Sequence, residues 1–299
     1  MRVAAVDVGT NTVLLLVAER VDGKLRAVVE RAEITRLGKG VDKSGALDGD
    51  AIERTLAVLA RYGEEARALG VERAGAVGTQ ALREAKNGGE FLQRARAALG
   101  FAVEVIGGER EAELSWGAVA ASFPLAPGRT RAVVDIGGGS TEIDFGGARL
   151  ERAISLPIGS VRLTERLLHH DPPSDDERAA LAAAVDDALA RAPSPEADEL
   201  VGVAGTVTTL CAISLGLVDY DGARVHGARL ARDEVERIVD RLGQTPLADR
   251  RRTPGLDPAR ADVIYAGGVI LARLLARARA ESLTVSDRGI RWGLAEELA

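Results

Sequence analysis

A strand-like apolar run, an aspartate, a glycine-bearing turn and a second strand-like run occur in that order twice in this chain. The first copy is Asp7-Val8-Gly9-Thr10-Asn11-Thr12, entered by Val3 to Val6 and left by Val13 to Val17. The second is Asp135-Ile136-Gly137-Gly138-Gly139-Ser140-Thr141, entered by Ala132 to Val134 and left by Glu142 to Phe145. Two hairpins of one form, far apart in the chain, predict a duplicated α/β protein whose two turns face each other as cradles for phosphate. At 299 residues there is length for two ordinary domains, each with its own core.

The turns differ from other phosphate-binding glycine motifs. A Rossmann or Walker turn runs from a strand straight into a helix, whose N-terminus holds the anion. Here each turn joins two strands, so its donors are the turn's own backbone N–H groups and hydroxyls, an anion nest. Gly137 to Gly139 remove side chains that would keep a phosphate at a distance, and Ser140 and Thr141 add hydroxyls. Three consecutive glycines exceed what a two-residue hairpin needs. Asp7, Asp135 and Glu142 border these turns, where bare carboxylates would repel a phosphate unless a cation intervened. Hard oxygen ligands beside phosphate suit Mg²⁺, with Mn²⁺ as the alternative, and Asp135 and Glu142 are the metal candidates. Capping of their own turns by Asp7 and Asp135 is the competing explanation.

Composition narrows the function classes. A hydrophobic content of 46% with near-zero mean hydropathy describes a globular chain, and no apolar stretch reaches membrane-spanning length. The N-terminus enters a strand with no basic-then-apolar leader, and one cysteine, Cys211, fits a reducing compartment, so a cytoplasmic protein without membrane partners is expected. A net charge of −6 argues against a nucleic-acid partner, yet a polyanionic substrate stays compatible with a locally concentrated basic field.

Along the chain, strands and turns to Glu33 precede a helix from about Asp50 to Leu69. A strand, Ala74 to Val77, runs into Gly78-Thr79-Gln80-Ala81-Leu82-Arg83, a strand-to-helix junction where N–H groups and the Arg83 guanidinium can converge on an anion. Gly107-Gly108 opens a helix from Glu109 to about Ser122. The Pro124 to Arg129 segment marks a boundary between domains 1–125 and 126–299. In the second half a capping box at Ser174 and Glu177 starts one helix. Gly205-Thr206 turns into a helix from Val207 to Leu215, a further helix spans about 259–279, and the terminal helix starts near Gly289.

These blocks together resemble the exopolyphosphatase/guanosine pentaphosphatase (Ppx/GppA) family. Besides the two turns, they are Gly78 to Ala85, Glu109-Arg110-Glu111-Ala112, Ser155 to Thr164, Val203 to Thr209 and Val285 to Gly289, in order along nearly the whole chain. The resemblance implies duplicated actin/sugar-kinase/Hsp70-like (ribonuclease H-like) domains with the active site in the interdomain cleft. It implies a Mg²⁺-assisted hydrolase that removes the terminal phosphate of polyphosphate or of guanosine pentaphosphate. It assigns Glu111 as the carboxylate that activates water and Arg83 as a phosphate ligand. Asn11, Thr12, Thr79, Gly138, Gly139, Ser140 and Thr141 fall in phosphate-binding positions, and Asp135 and Glu142 in metal-proximal ones. Gly205 and Thr206 resemble the loop that holds nucleotide in kinase relatives and are expected to help hold phosphate. A homodimer is the implied assembly.

Two departures from the family pattern stand out. Trp292 occupies a slot where glutamate is common, and packing of the terminal helix is its expected role. The chain stops at Ala299 without the helical domain that longer members append, so short polyphosphate is the expected substrate. Non-catalytic sensing of polyphosphate or alarmone, and ATP-dependent kinase activity, are the rival functions. Arg250-Arg251-Arg252 is expected to be a solvated loop, and His169, His170 and His226 have no metal spacing.

Overall fold

Both copies of the repeated turn form antiparallel hairpins, and the strands that flank them sit at the centre of two sheets. The structure is a computed structural model describing residues 1–299. In chain order its first elements are β1 (Arg2–Val8), β2 (Thr12–Val21), β3 (Lys24–Ile34), α1 (Val41–Ser44), α2 (Gly49–Ala68), β4 (Arg73–Gly78), α3 (Gln80–Glu84), α4 (Gly88–Leu99), β5 (Val103–Val105) and α5 (Gly108–Ser122). There follow β6 (Arg131–Ile136), β7 (Thr141–Gly146), β8 (Leu150–Leu156), α6 (Ser160–Leu167), α7 (Asp175–Leu189), β9 (Glu199–Val203), α8 (Ala204–Ser214) and α9 (Gly222–Val225). The last are β10 (Arg229–Ala231), α10 (Arg232–Gln244), α11 (Leu247–Arg250), a 3₁₀ turn (Pro258–Arg260), α12 (Ile264–Arg277), β11 (Ser282–Val285) and α13 (Ile290–Leu298).

The duplication is exact at the level of strand order. One sheet runs β3-β2-β1-β4-β5 and the other β10-β11-β9-β6-β7-β8, so β6, β7, β8, β9 and β11 repeat the places of β1, β2, β3, β4 and β5. In each, the hairpin strands are antiparallel and the next strand inward is parallel, as β1 with β4 and β6 with β9. Register aligns the copies residue by residue: Asp7 pairs with Leu14 where Asp135 pairs with Glu142. The chain divides into two compact units, 1–118 with 289–299, and 119–288.

The first unit buries both faces of its sheet, as alternation along β1 requires. Ala4, Val6 and Val8 join Leu15, Val17 and the apolar stripe of α2 and α4. Val3 and Ala5, pointing the other way, join Leu16, Val77, Leu114 and Ala118 of α5, and Ile290, Trp292 and Leu294 of α13. Asp48 caps α2, accepting from the Ala51 N–H at 3.0 Å. In the second unit Ala132, Val134, Ile136 and Ile143 face a core closed by α7, α8, α10 and α12, and the predicted Ser174–Glu177 capping box is present in both directions.

Four sequence expectations are modified. The helix drawn over 259–279 is interrupted: Asp257 caps the short 3₁₀ turn, and α12 proper begins at Ile264. The helix expected from Val207 begins at Ala204, whose positive φ of 68° lets β9 turn into α8 with no spacer. The terminal helix, expected in the second domain, belongs to the first unit because its apolar residues complete the second face of that sheet. Arg250 is also no solvated loop residue. It is buried, donates to the Ala261 and Thr245 carbonyls at 3.0 Å, and lies over the Tyr265 ring.

Gly159 sits where a methyl group would collide with the backbone of Gly138 and Gly139. Gly159→Ala is expected to destabilise the second unit by about 1–3 kcal/mol, the usual cost of overpacking against backbone. Urea denaturation monitored by circular dichroism checks it.

Candidate active site

The two hairpin turns are anchored in the same manner. Gly9 N–H donates to the Thr12 carbonyl and Gly137 N–H to the Ser140 carbonyl, each at 3.0 Å. The turn carbonyls are then taken by the segment that follows the third strand of each unit. Thr35 and Arg36 N–H donate to the Asn11 carbonyl, and Gly38 N–H to that of Thr10. In the second unit Ser160 N–H donates to the Gly137 carbonyl, Val161 and Arg162 N–H to that of Gly138, and Arg162 Nε to that of Gly139 at 2.9 Å. A trans peptide points its N–H opposite to its C=O. With these carbonyls held inward, the N–H groups of Asn11, Gly138, Gly139 and Ser140 are turned the other way, the orientation an anion nest needs.

Thr141, also expected to offer a hydroxyl, does something else. It is fully buried and its Oγ donates to the Ile158 carbonyl at 2.7 Å, so its proton ties β7 to the lead-in of α6 and is not available to a phosphate oxygen.

Each turn has a neighbour at the end of the adjacent parallel strand. Thr79 follows β4 beside the first turn, its N–H donating to the Val8 carbonyl at 3.3 Å, and it directly precedes α3, which carries Arg83. Gly205 and Thr206 follow β9, which pairs with β6 through Asp135 and Val203, and lie in the first turn of α8. The Arg260 guanidinium packs on Gly205 in the space that a Cβ would take. Ligands of open α/β sheets bind at such carboxyl ends of central strands.

Glu111 stands in the first turn of α5, buried, and its carboxylate is ion-paired with the Arg83 guanidinium. The same Arg83 nitrogen donates to the Ile106 carbonyl at 2.6 Å. Expected as a phosphate ligand, Arg83 is thus engaged as the cation beside Glu111. Burial pushes the Glu111 carboxyl above the ordinary glutamate range, and Arg83 opposes that shift. Asp7 ends the apolar β1 face that α5 and α13 cover, and its Oδ1 is buried without a hydrogen-bond partner. Burial, and then the charge of Glu111, push Asp7 up to about 7, while Arg291 pulls it down.

Asp135 and Glu142 are directly opposite on β6 and β7, so both side chains leave the same face of the sheet, and both are buried. Ser155 Oγ donates to Glu142 at 2.7 Å. No group of three or more His, Cys, Asp or Glu side chains is placed so that together they could hold a metal ion. A pair of carboxylates nonetheless fits Mg²⁺, which commonly takes one or two and fills its octahedron with waters and substrate phosphates. Asp144, two residues on from Glu142 and therefore on the same face, is fully buried. Alternation of acidic residues at 142 and 144 in an otherwise apolar strand was the signal that could have singled it out. Trp292 is buried, as expected of a packing residue, with its Nε1 3.4 Å from Glu30.

The sequence profile of the Ppx/GppA phosphatase family matches residues 16–299. The chain belongs to that family. It is similar to exopolyphosphatase 2 of Mycobacterium tuberculosis, 38% identical over 315 aligned positions that cover 100% of this chain and 98% of that one. Among solved structures, the Aquifex aeolicus Ppx/GppA family member superposes with a TM-score of 0.84 at 40% identity, covering 99% of this chain and 97% of that one. An exopolyphosphatase from Cytophaga hutchinsonii superposes with a TM-score of 0.90 at 26% identity over 100% and 99% of the two chains. The fold is accordingly the duplicated actin-like α/β type expected from the sequence, and the enzyme class is that of phosphoanhydride hydrolases. No helix is long and apolar enough to cross a membrane.

Asp7 gives a stability test with a defined sign. Its folded-state value near 7 lies above the ordinary aspartate value of 3.8, so the folded protein holds this proton more tightly than the unfolded chain. The stability this contributes is full below about pH 4 and is lost as pH rises through 7. Asp7→Asn is therefore expected to gain stability relative to the parent as pH goes from 4 to 8, read as the difference in Tm.

Proposed function

We propose that the chain is an exopolyphosphatase that hydrolyses the terminal phosphoanhydride of inorganic polyphosphate and releases orthophosphate. The observation that carries this is Glu111, a buried carboxylate at the start of α5 with Arg83 as its counter-ion. The names of the Mycobacterium tuberculosis and Cytophaga hutchinsonii relatives support the choice of substrate.

In this reading the outward-turned N–H groups of Asn11, Gly138, Gly139 and Ser140 bind phosphate oxygens, and Thr12, Thr79, Gly205 and Thr206 are the further phosphate-binding residues of their own units. Glu111 accepts a proton from water as the water oxygen bonds to the terminal phosphorus. The bridging P–O bond breaks, and the shortened chain leaves with the electron pair. Charge spreads over the equatorial oxygens during this transfer, so positioned donors matter more than a protein nucleophile. Burial raises the proton affinity of Glu111 and Arg83 keeps its charged form accessible, which suits a base working near neutral pH. Asp135 and Glu142 would hold Mg²⁺, whose charge would neutralise phosphate oxygens when bound.

Phosphate release from tripolyphosphate, long-chain polyphosphate, guanosine pentaphosphate and ATP, each with Mg²⁺ and with chelator, tests the proposal. Release from polyphosphate that chelator abolishes is the expected result, with the short chain preferred. Release from guanosine pentaphosphate alone would replace the substrate assignment, and release from none would remove the enzyme. Glu111→Gln is expected to lower kcat about 10²–10⁴-fold, the usual contribution of a positioned base, while phosphate binding measured by calorimetry is kept. Near-normal turnover in that variant would overturn the role of Glu111.

A further inference from the structure

The helix that carries Glu111 is crossed by α13 at unusually short range. Gly293 lies against the backbone of Leu114, one helical turn beyond Glu111 on α5, and any side chain at 293 would run into the Leu114 carbonyl. Only glycine allows two helix backbones to approach in this way. The seat is locked by apolar packing: Ile290, Trp292, Leu294 and Ala295 of α13 share one buried cluster with Leu114 and Ala118 of α5 and with Val3 and Ala5 of β1. Its polar edge is also fixed, since Arg291 is ion-paired with Glu30 of β3 at 2.7 Å and Trp292 Nε1 points to the same carboxylate. Asp7, two residues along β1 from Ala5, ends the same sheet face and feels both Glu111 and Arg291.

We infer that α13 is the positioning element for Glu111, with Gly293 setting the distance between α13 and α5 and Arg291 supplying the cation on the Asp7 side of the base. The inference rests on Glu111 being the base proposed above. A helix placed by backbone contact cannot relax by rotating a side chain away. Even a small displacement of α5 therefore moves the Glu111 carboxylate, and misplacement of a reacting group by about 1 Å can cost on the order of 10²-fold in rate. The charged groups around the pair are Arg83 of α3, Arg291 of α13 and Glu30 behind it on β3. Neither Gly293 nor Arg291 is a candidate for touching the reacting phosphate in this scheme.

The test uses the full chain with tripolyphosphate and Mg²⁺, and compares Gly293→Ala, Arg291→Gln, Arg291→Lys and Glu111→Gln. Each is assayed well below its own Tm, so that loss of folded protein does not contribute. Gly293→Ala is expected to lower kcat at least about tenfold with KM and phosphate affinity within a few-fold of the parent. Arg291→Gln, which breaks the ion pair with Glu30 that fixes the edge of α13, is expected to lower kcat several-fold with KM within a few-fold of the parent, and Arg291→Lys is expected to restore much of it. If Gly293→Ala does not fold, the two Arg291 variants decide alone. Parent-like kcat in a folded Gly293→Ala, or in Arg291→Gln, overturns the positioning role. When Glu111→Gln is inactive in the same series, that failure belongs to the positioning inference alone. When Glu111→Gln keeps full turnover, the base assignment falls and the inference falls with it.

Discussion

A carboxylate withdrawn from water needs a cation beside it or it takes up a proton. The first unit brings two to one place, Asp7 at the end of β1 and Glu111 at the start of α5, and supplies Arg83 against the second. Much of the unit's architecture follows from keeping that group dry. The second face of the sheet is sealed by α5 and α13, Ile106 orients Arg83, and the terminal segment returns to the first unit although it follows the whole of the second. Were that face open to solvent, Glu111 would titrate as an ordinary surface glutamate.

The duplicated hairpin presents two different carboxyl arrangements because register is the same and residues are not. Asp7 faces Leu14 across its hairpin, while Asp135 faces Glu142. Leucine on the first copy leaves Asp7 as the only carboxyl of its hairpin pair, where burial and the charge of Glu111 favour its protonated form. Glutamate on the second gives two adjacent carboxylates, which favours a bound cation. The loops diverge in the same direction: Thr10 and Asn11 in one stand where Gly138 and Gly139 stand in the other, and only the second brings three glycine carbonyls to one helix, α6. In the proposed function one unit thus carries the base, and the other the carboxylate pair that would hold a cation.

Much of this was legible in the residues. The repeated turn forecast the duplicated sheets, since a hairpin flanked by apolar runs is a local signal, and the Ser174–Glu177 cap was equally local. What escaped depends on packing between distant segments. The return of α13 turns on which sheet face lacks cover, and neither Ile290 nor Leu294 announces its partner. Arg250 looked like a solvated basic run because its carbonyl partners, Thr245 and Ala261, are set by the fold of the connection to α12. Thr141 belongs to a motif that suggests a phosphate hydroxyl, yet the Ile158 carbonyl claims its proton. The motif around Arg83 suggests a phosphate ligand, whereas its pairing with Glu111 depends on two strand ends being brought together.

The central claim is that Glu111 is a dry carboxylate held ready to ionise, and its own titration tests this most directly. Side-chain carbon NMR of the protein labelled at glutamate carboxyls would follow it, with the Glu111 signal assigned by its disappearance in Glu111→Gln. The account requires that resonance to titrate above the ordinary glutamate range and to be ionised by mildly alkaline pH. A Glu111 titrating at about 4, like a glutamate in water, would contradict it.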